Sequence, residues 1–426
     1  MAGSPRTHVA SFFQAAGQPV TFDPGMRILQ LCHKPPLPAI DGGCLAMDAL
    51  TQGMMENGAE VKILTAATRK HPIRLDALGD DYLEATDLEA IDIETGFDPR
   101  DAYISLLNRD SYNISRFYAH HYAMVLRRAL TRRRYDVVHL ESLYTTPYID
   151  TIRQHAPDTL ISLRSHNHEY QIWEQRWKSS RNPLSRLAFR HLSKTLERYE
   201  KDVLKDLDAI VAISEKEAQG YREWGYQGPI HLAGFGIEMS APRTARPAVE
   251  GRAMKLFHLG AMDWGPNREG IDWFIQSIWP AIRAAHPGTE FHIAGKGLNP
   301  SEHAGIAGVF NHGEVEDAQL FSQSYDLLVV PLLRGAGIRV KIVDALAHGI
   351  PVATTNKGAL GLDMEGSGAL VHAEPEGLAA ALSDLIAHPD RLPILSQRGR
   401  SEVESRFDRK AIGAGLLEFY RGQLHG

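Results

Sequence analysis

A short strand that runs into a glycine loop and then a helix constrains the fold of this chain more than any other stretch. It lies between Asp326 and Leu362. Leu327 to Val330 is a continuous apolar run, the composition of a strand buried on both faces of a parallel sheet. Gly335 and Gly337 then leave backbone without side-chain bulk. From Ile338 to Ala347 apolar residues recur at Ile338, Ile342, Val343 and Leu346, a helical spacing, and Gly349 is placed to end the helix. Pro351 to Thr354 reads as the next strand. A glycine loop that opens a helix at the carboxyl end of a strand suits an anion, because free backbone N–H groups and the helix dipole point into it. Arg339 and Lys341 add two positive charges in the first turn. Asp344 follows one turn later, placed to accept from a hydroxyl such as that of a ribose. Together these groups describe a nucleoside-diphosphate pocket. The plainer alternative is a strand–helix crossover with solvated charges.

The rest of the chain bounds this reading. With 426 residues it exceeds one core and suits two domains of about 200 residues each. A net charge of -6 argues against a nucleic-acid partner, which calls for a strongly basic balance. Cys32 and Cys44 are the two cysteines, too few for a disulfide framework or a metal-ligand set, which points to a reducing cytoplasm. No apolar run approaches the ~18 residues that span a bilayer, and no signal-peptide pattern opens the sequence.

In chain order, residues 1–25 lack periodicity and read as a loose arm. Met26 to Cys32 is a strand, followed by a loop with Gly42-Gly43, a helix to Asn57 and a strand from Glu60 to Thr65, the opening of a doubly wound sheet. Residues 66–108 read as an acidic insertion. A helical pattern from Ile114 to Arg133 ends in five arginines between Arg127 and Arg134. Strands at Asp136–Leu140 and Thr159–Leu163 follow. The second ends at Arg164-Ser165-His166-Asn167-His168-Glu169-Tyr170, where open α/β sheets place their chemistry. A surface loop rich in polar residues is the alternative. Between Arg176 and Lys205, nine Lys/Arg stand against three Asp/Glu along a helical region. Such a stretch suits anionic phospholipid, a phosphate-bearing acceptor, or only a solvated face. Ser240 to Arg252 has two prolines and no apolar period. The boundaries are therefore 26–239 for the first domain, 240–253 for a linker and 254–406 for the second domain. A terminal helix in 407–426 crosses back to the first. Asn267 is placed to cap the helix that carries Ile271, Phe274, Ile278 and Ile282.

The motif around the glycine loop resembles the donor site of family 4 retaining glycosyltransferases. In that family two glutamates eight positions apart flank a glycine-rich loop. Asp344, Ala345 and Ala347 fall on its Glu-Ala-Met-Ala, and Gly349, Pro351 and Val352 on its Gly-x-Pro-Val. Ala336 stands in place of the first glutamate and Asp344 replaces the second, the pattern of a variant subgroup. Gly42-Gly43, the His166-Asn167-x-Glu169-Tyr170 stretch, the Gly234–Glu238 hinge, Gly295-Lys296-Gly297 and the Val309–Val315 segment also match family features.

The resemblance implies the GT-B architecture, an α/β fold of two Rossmann-like doubly wound domains facing across a cleft. It implies transfer of a sugar from a nucleoside-diphosphate donor to a hydroxyl of a glycan or lipid-linked acceptor, with retention. The product would be a cell-surface polysaccharide or glycolipid. Neither a metal nor a cofactor is expected. The protein would be cytoplasmic, with peripheral contact to anionic membrane through Arg127–Arg134 and Arg176–Lys205. His166 would face the donor sugar, Arg339 and Lys341 the diphosphate, and Asp344 the ribose. The main chain at Gly42, Gly43, Gly337 and Ile338 would line the phosphates, with Gly295 nearby and Val315 beside the base. Family members usually hold the diphosphate with an arginine where this chain has Ala261 and a lysine a few residues on, for which Arg268 is the available candidate. Arg339 and Lys341 are the expected substitutes. An epimerase of the same architecture and a silent nucleotide-binding partner subunit are the alternatives.

Overall fold

The computed structural model describes residues 25–39, 41–96, 111–239, 253–335, 338–362, 368 and 371–425. The N-terminal arm up to residue 24, most of the expected linker, Ala336 and Gly337 lie outside these residues. Two parallel sheets carry the fold. The first has seven strands, β1 (Arg27–Cys32), β2 (Glu60–Ala67), β3 (Glu89–Asp92), β4 (Val137–Glu141), β5 (Leu160–Ser165), β6 (Ala209–Ala212) and β7 (Ile230–Leu232), in the order β3-β2-β1-β4-β5-β6-β7. The second has six, β8 (Lys255–Leu259), β9 (Glu290–Ala294), β10 (Val309–Asn311), β11 (Leu327–Val330), β12 (Val352–Thr355) and β13 (Val371–Ala373), in the order β10-β9-β8-β11-β12-β13. Each is thus a doubly wound sheet whose strand order reverses once, between β1 and β4 and between β8 and β11. Ligand crevices form outside the carboxyl ends of strands at such switch points. Strand β11 is a continuous apolar run because helices cover both faces of its sheet; Leu327, Val329 and Val330 are fully buried.

Several expected elements take a different form. The region read as an acidic insertion supplies edge strand β3, which pairs with β2 from Leu64↔Glu89 to Ala67↔Asp92. The long basic helical region is a hairpin of two helices, α2 (Glu169–Ser179) and α3 (Pro183–Val203). Pro183 forces the break: its ring fits a first helical turn but not a helix interior. The Asn182 carboxamide then caps α3 by accepting from the N–H groups of Leu184 and Ser185, at 2.9 and 3.2 Å. At the far end, the Glu200 carboxylate accepts from the N–H groups of Glu169 and Tyr170 and caps α2.

The chain leaves the first sheet through Gly234–Met239 and returns at Phe407–Arg409. There the two passes bond to each other, Ile237 N–H to Phe407 O and Arg409 N–H to Ile237 O. The returning helix, α6 (Arg409–Leu424), lies on α1 (Gly42–Glu56), which follows β1. Its Leu416, Leu417 and Tyr420 are fully buried in one cluster with Cys32, Met47, Met54, Val137 and Val211. The two helices touch backbone to backbone at Gly53 and Gly413. A Cβ on Gly53 would lie 2.1 Å from Arg409 O, and one on Gly413 2.2 Å from the Gly53 carbonyl carbon.

Candidate active site

At the switch point of the second sheet the chain after β8 turns at Gly260, and the chain after β11 runs toward α5 (Val340–Ala347). The helix begins two residues later than the apolar spacing predicts. Arg339 is therefore its cap residue, and Lys341 alone sits in the first turn. The Lys341 amine donates to Asn267 Oδ1 at 3.0 Å. Lys341 Nζ, Asn267 Nδ2 and His258 Nε2 all crowd the empty side of Gly260, where a Cβ would lie 2.2, 2.9 and 3.0 Å from them. His258 is fully buried, and its Nδ1 donates to Val329 O at 2.7 Å, since a carbonyl can only accept. Its Nε2 lone pair therefore points toward the same spot.

Burial and the positive charge of Arg339 push the Lys341 amine down to about 7. Such a group gains a proton readily when an anion arrives, because a nearby negative charge favours the charged form. Arg339 is buried, with its guanidinium 5.7 Å from the centre of the Trp264 ring. Asp344, one turn beyond Lys341, is exposed. Arg268 turns away from Lys341: its guanidinium donates to Met262 O, Gly297 O and Glu302, tying the two glycine loops together.

Asn267 does not cap its helix. The helix α4 (Gly265–Trp273) begins earlier, with Trp264 in the cap position and Pro266 in the first turn. The Asn267 carboxamide instead bridges Ala261 O and Lys341. Pro266 was the available signal, since proline prefers the first helical turn and so places the cap before it. Gly295 owes its identity to packing. Its φ is +148°, and a Cβ there would lie 1.9 Å from Gly260 O. The loops after β8 and β9 are thus pressed together, which fixes Gly260 beneath Lys341. Ile338 and Val315 are half-buried, the first at the entrance to α5 and the second beyond β10.

In the first sheet, Asp41 caps α1, accepting from Cys44 N–H at 2.9 Å and from Lys34 Nζ at 2.7 Å. Gly42 and Gly43 form the first residues of that helix; a Cβ on Gly43 would lie 3.0 Å from Lys34 Nζ. His166 follows β5 and is partly buried, and its Nε2 lies 3.0 Å from Glu141 Oε2. Glu141, at the end of β4, is fully buried and paired in register with Arg164 of β5. Burial alone would raise its carboxyl, but Arg164 and the hydrogen bonds from His139 and His166 hold it well below the usual carboxylate range. Burial lowers the His166 imidazole against the opposing pull of Glu141, so it is neutral near pH 7. Glu141 and His258 did not stand out in the sequence. The signal for the first was a carboxylate and a guanidinium closing two adjacent apolar strands.

Among the described residues no group of three or more His, Cys, Asp or Glu is arranged to hold a metal, and no helix is long and apolar enough to cross a membrane. The site instead concentrates one lysine, a buried arginine, neutral donors and acceptors, and a helix start at a sheet switch point.

Comparison with known proteins agrees with this architecture. Residues 45–236 match the glycosyl transferase 4-like domain, and residues 253–388 match the glycosyl transferases group 1 model. The chain is 22% identical over 265 residues to an uncharacterized 44.6 kDa protein in the cps region of Klebsiella pneumoniae, covering 60% of this chain and 66% of that protein. It is 25% identical over 190 residues to the phosphatidyl-myo-inositol mannosyltransferase of Mycobacterium leprae, covering 42% of this chain and 49% of that protein. The chain thus spans between about half and two thirds of the length of these relatives. Sucrose-phosphate synthase from Thermosynechococcus elongatus superposes with a TM-score of 0.61 at 16% identity, covering 93% of this chain and 98% of that one. The Anabaena protein HepE, solved with UDP-glucose, superposes with a TM-score of 0.57 at 13% identity, covering 93% and 100%. The two matched domains, with two-domain structural neighbours of the same fold, make the chain a glycosyltransferase of the GT-B architecture.

Proposed function

We propose that this protein transfers a sugar, with retention, from a nucleoside-diphosphate donor to a hydroxyl of a glycan or lipid-linked acceptor in polysaccharide or glycolipid synthesis. The observation that carries the reading is Lys341, a lysine poised near neutrality that meets Asn267 and His258 over Gly260 at the switch point of the second sheet. As the glycosidic bond breaks, charge grows on the departing diphosphate. Preorganised cations in a dry site stabilise that charge. Lys341, protonated by the approach of the diphosphate, answers it directly, and Arg339 adds to the field. This pair takes the role that Ala261 cannot fill. In this reading the reaction needs no metal, Asp344 holds the ribose, and Val315 lies beside the base. His166, across the cleft, meets the sugar. The HepE neighbours solved with UDP and with UDP-glucose support trying uridine nucleotides first.

We also assign the α2–α3 hairpin a role in docking on anionic lipid. Leu184 and Leu187 are 79% and 67% exposed at its tip, flanked by the exposed Arg181, Arg186 and Arg190. An apolar tip within a basic rim suits the headgroup region of a membrane surface. In the other basic stretch, Arg128 and Arg133 pair with Glu89 and Glu60, so the hairpin carries this part of the proposal.

Thermal unfolding against a panel of nucleoside diphosphates and nucleotide sugars, with and without EDTA, tests the donor site. A ligand at 100 times its dissociation constant should add about 2.7 kcal/mol. Stabilisation by one base, indifferent to EDTA, is expected. No stabilisation by any of them would reject the donor site, whereas stabilisation by a nucleotide without turnover of any donor would favour the silent partner subunit. Turnover of a donor without any acceptor would favour the epimerase.

A further inference from the structure

The buried polar chain behind His166 extends much further than a single carboxylate. Glu141 Oε1 faces Gln30 Nε2 at 3.0 Å, His139 Nε2 at 3.2 Å and Arg164 Nη1 at 3.2 Å. A carboxylate can only accept, so each of these nitrogens donates. With its Nε2–H committed to Glu141, His139 turns Nδ1 to the Tyr420 hydroxyl of α6 at 2.6 Å. Tyr420 in turn lies 3.1 Å from Ser162 Oγ. Every member of this chain except His166 is buried. Oε2 of the same carboxylate is left for His166, whose Nε2 lies 3.0 Å away.

The same rule fixes the proton on His166. Facing an acceptor, Nε2 must carry the hydrogen, which leaves Nδ1 as a bare lone pair; Nδ1 has no partner among the described residues. Arg164 already balances Glu141 one charge for one. A second proton on the imidazole would leave a surplus positive charge beside a buried network, which is costly.

We propose that Glu141 is a positioning residue: anchored from behind by His139 and Tyr420 of the returning helix, it locks His166 as the Nε2–H tautomer and presents Nδ1 to the cleft as the acceptor for a hydroxyl of the transferred sugar. This rests on the reading that His166 meets that sugar. It assigns the sugar a hydroxyl donor at that point, so a deoxy sugar at the matching position is a poor substrate. It also makes α6, which follows the second domain in sequence, part of what orders the first domain's half of the site.

The test is nitrogen-resolved NMR of histidine-labelled full-length protein, with the His166 signals assigned by their loss in His166→Gln. The expected wild-type spectrum shows Nε2 protonated and Nδ1 not, from mildly acidic to mildly alkaline pH. An Nδ1–H tautomer, or an imidazolium near pH 7, overturns the proposal without any variant having to fold. Glu141→Gln should mix the two tautomers and lower kcat at least tenfold while leaving the acceptor KM within twofold. A Glu141→Gln protein with the wild-type tautomer and turnover also overturns it. His166→Ala is the separate control: full turnover there would remove the contact with the sugar while leaving the tautomer result as measured.

Discussion

Lys341 offers the sharpest prediction because the site gives it both a partner and a proton affinity. Its amine is pushed down to about 7, so about ten elevenths of the molecules carry the charge at pH 6 and about one eleventh at pH 8. Only the ammonium form attracts a diphosphate, and binding raises its proton affinity further. Affinity for a nucleoside diphosphate should therefore weaken about tenfold over this interval, ~1.4 kcal/mol, once the ligand's own titration is removed. Lys341→Ala supplies that correction, since it feels the ligand's titration but lacks the amine. The quantity to follow is the ratio of variant to wild-type dissociation constants, by isothermal titration calorimetry. It should be about ten times larger at pH 6 than at pH 8. Proton uptake on binding, read from the dependence of the heat on buffer ionisation, should be larger in the wild type than in the variant, and the difference between them should peak above pH 7. A constant ratio across this range would refute the reasoning, because it would mean the amine binds in one protonation state throughout or never meets the diphosphate.

Four further outcomes follow. The folded amine loses its proton below the ~10.4 of an unfolded lysine, so the unfolded chain holds more protons between the two values and stability rises with pH there. Lys341→Met should thus stabilise the ligand-free protein at and below pH 7, on the order of 2 kcal/mol after allowing for its partial exposure, with the gain closing toward pH 10. Urea melts at several pH values check this, and equal stability at low pH would contradict it. Gly260→Ala places a methyl group 2.2 Å from Lys341 Nζ and within 3.0 Å of Asn267 Nδ2 and the buried His258 Nε2, so donor turnover, followed by initial rates, should fall at least tenfold. Gly413→Ala meets backbone instead, at Gly53, and should destabilise by about 1–3 kcal/mol in chemical denaturation. Finally, Leu184→Gln with Leu187→Gln should reduce sedimentation with phosphatidylglycerol vesicles while leaving nucleotide binding intact; unchanged sedimentation would remove the hairpin from the docking proposal.

What was legible in the sequence was whatever a local period encodes. The continuous apolar run at 327–330, and the runs at 28–32 and 137–140 broken only by Gln30 and His139, marked central strands, because a parallel sheet buries both faces. Glycines beside the strand ends marked the loops. The short edge strand β3 was hidden, since only Ile91 of Glu89–Asp92 is buried and a one-sided edge shows no continuous run. The split of the hairpin turned on Pro183, a local signal outweighed by the basic helical region around it. The site was harder to read. Lys341 was visible because it stands beside the glycine loop. Asn267 and His258 join it only through the crossover of sheet order between β8 and β11. Glu141 and His166 are twenty-five residues apart and meet only because β4 and β5 are neighbours. Contacts of that kind are set by topology, which no short window contains.

The seating of α6 bears on how the molecule is made. Leu416, Leu417 and Tyr420 complete a core whose other buried members lie between residues 28 and 233. The ribosome releases that first stretch early, yet its apolar face stays open while some two hundred further residues emerge, including the whole second sheet. Chains generally fold domain by domain as they are synthesised. Here the first unit must wait, partly assembled, for a helix encoded after the second. That interval exposes Met47, Met54 and Val211 to other nascent chains, so a fragment ending at residue 239 should be recovered with a chaperone bound or in aggregates. Supplying residues 407–425 as a separate peptide should return it to solution.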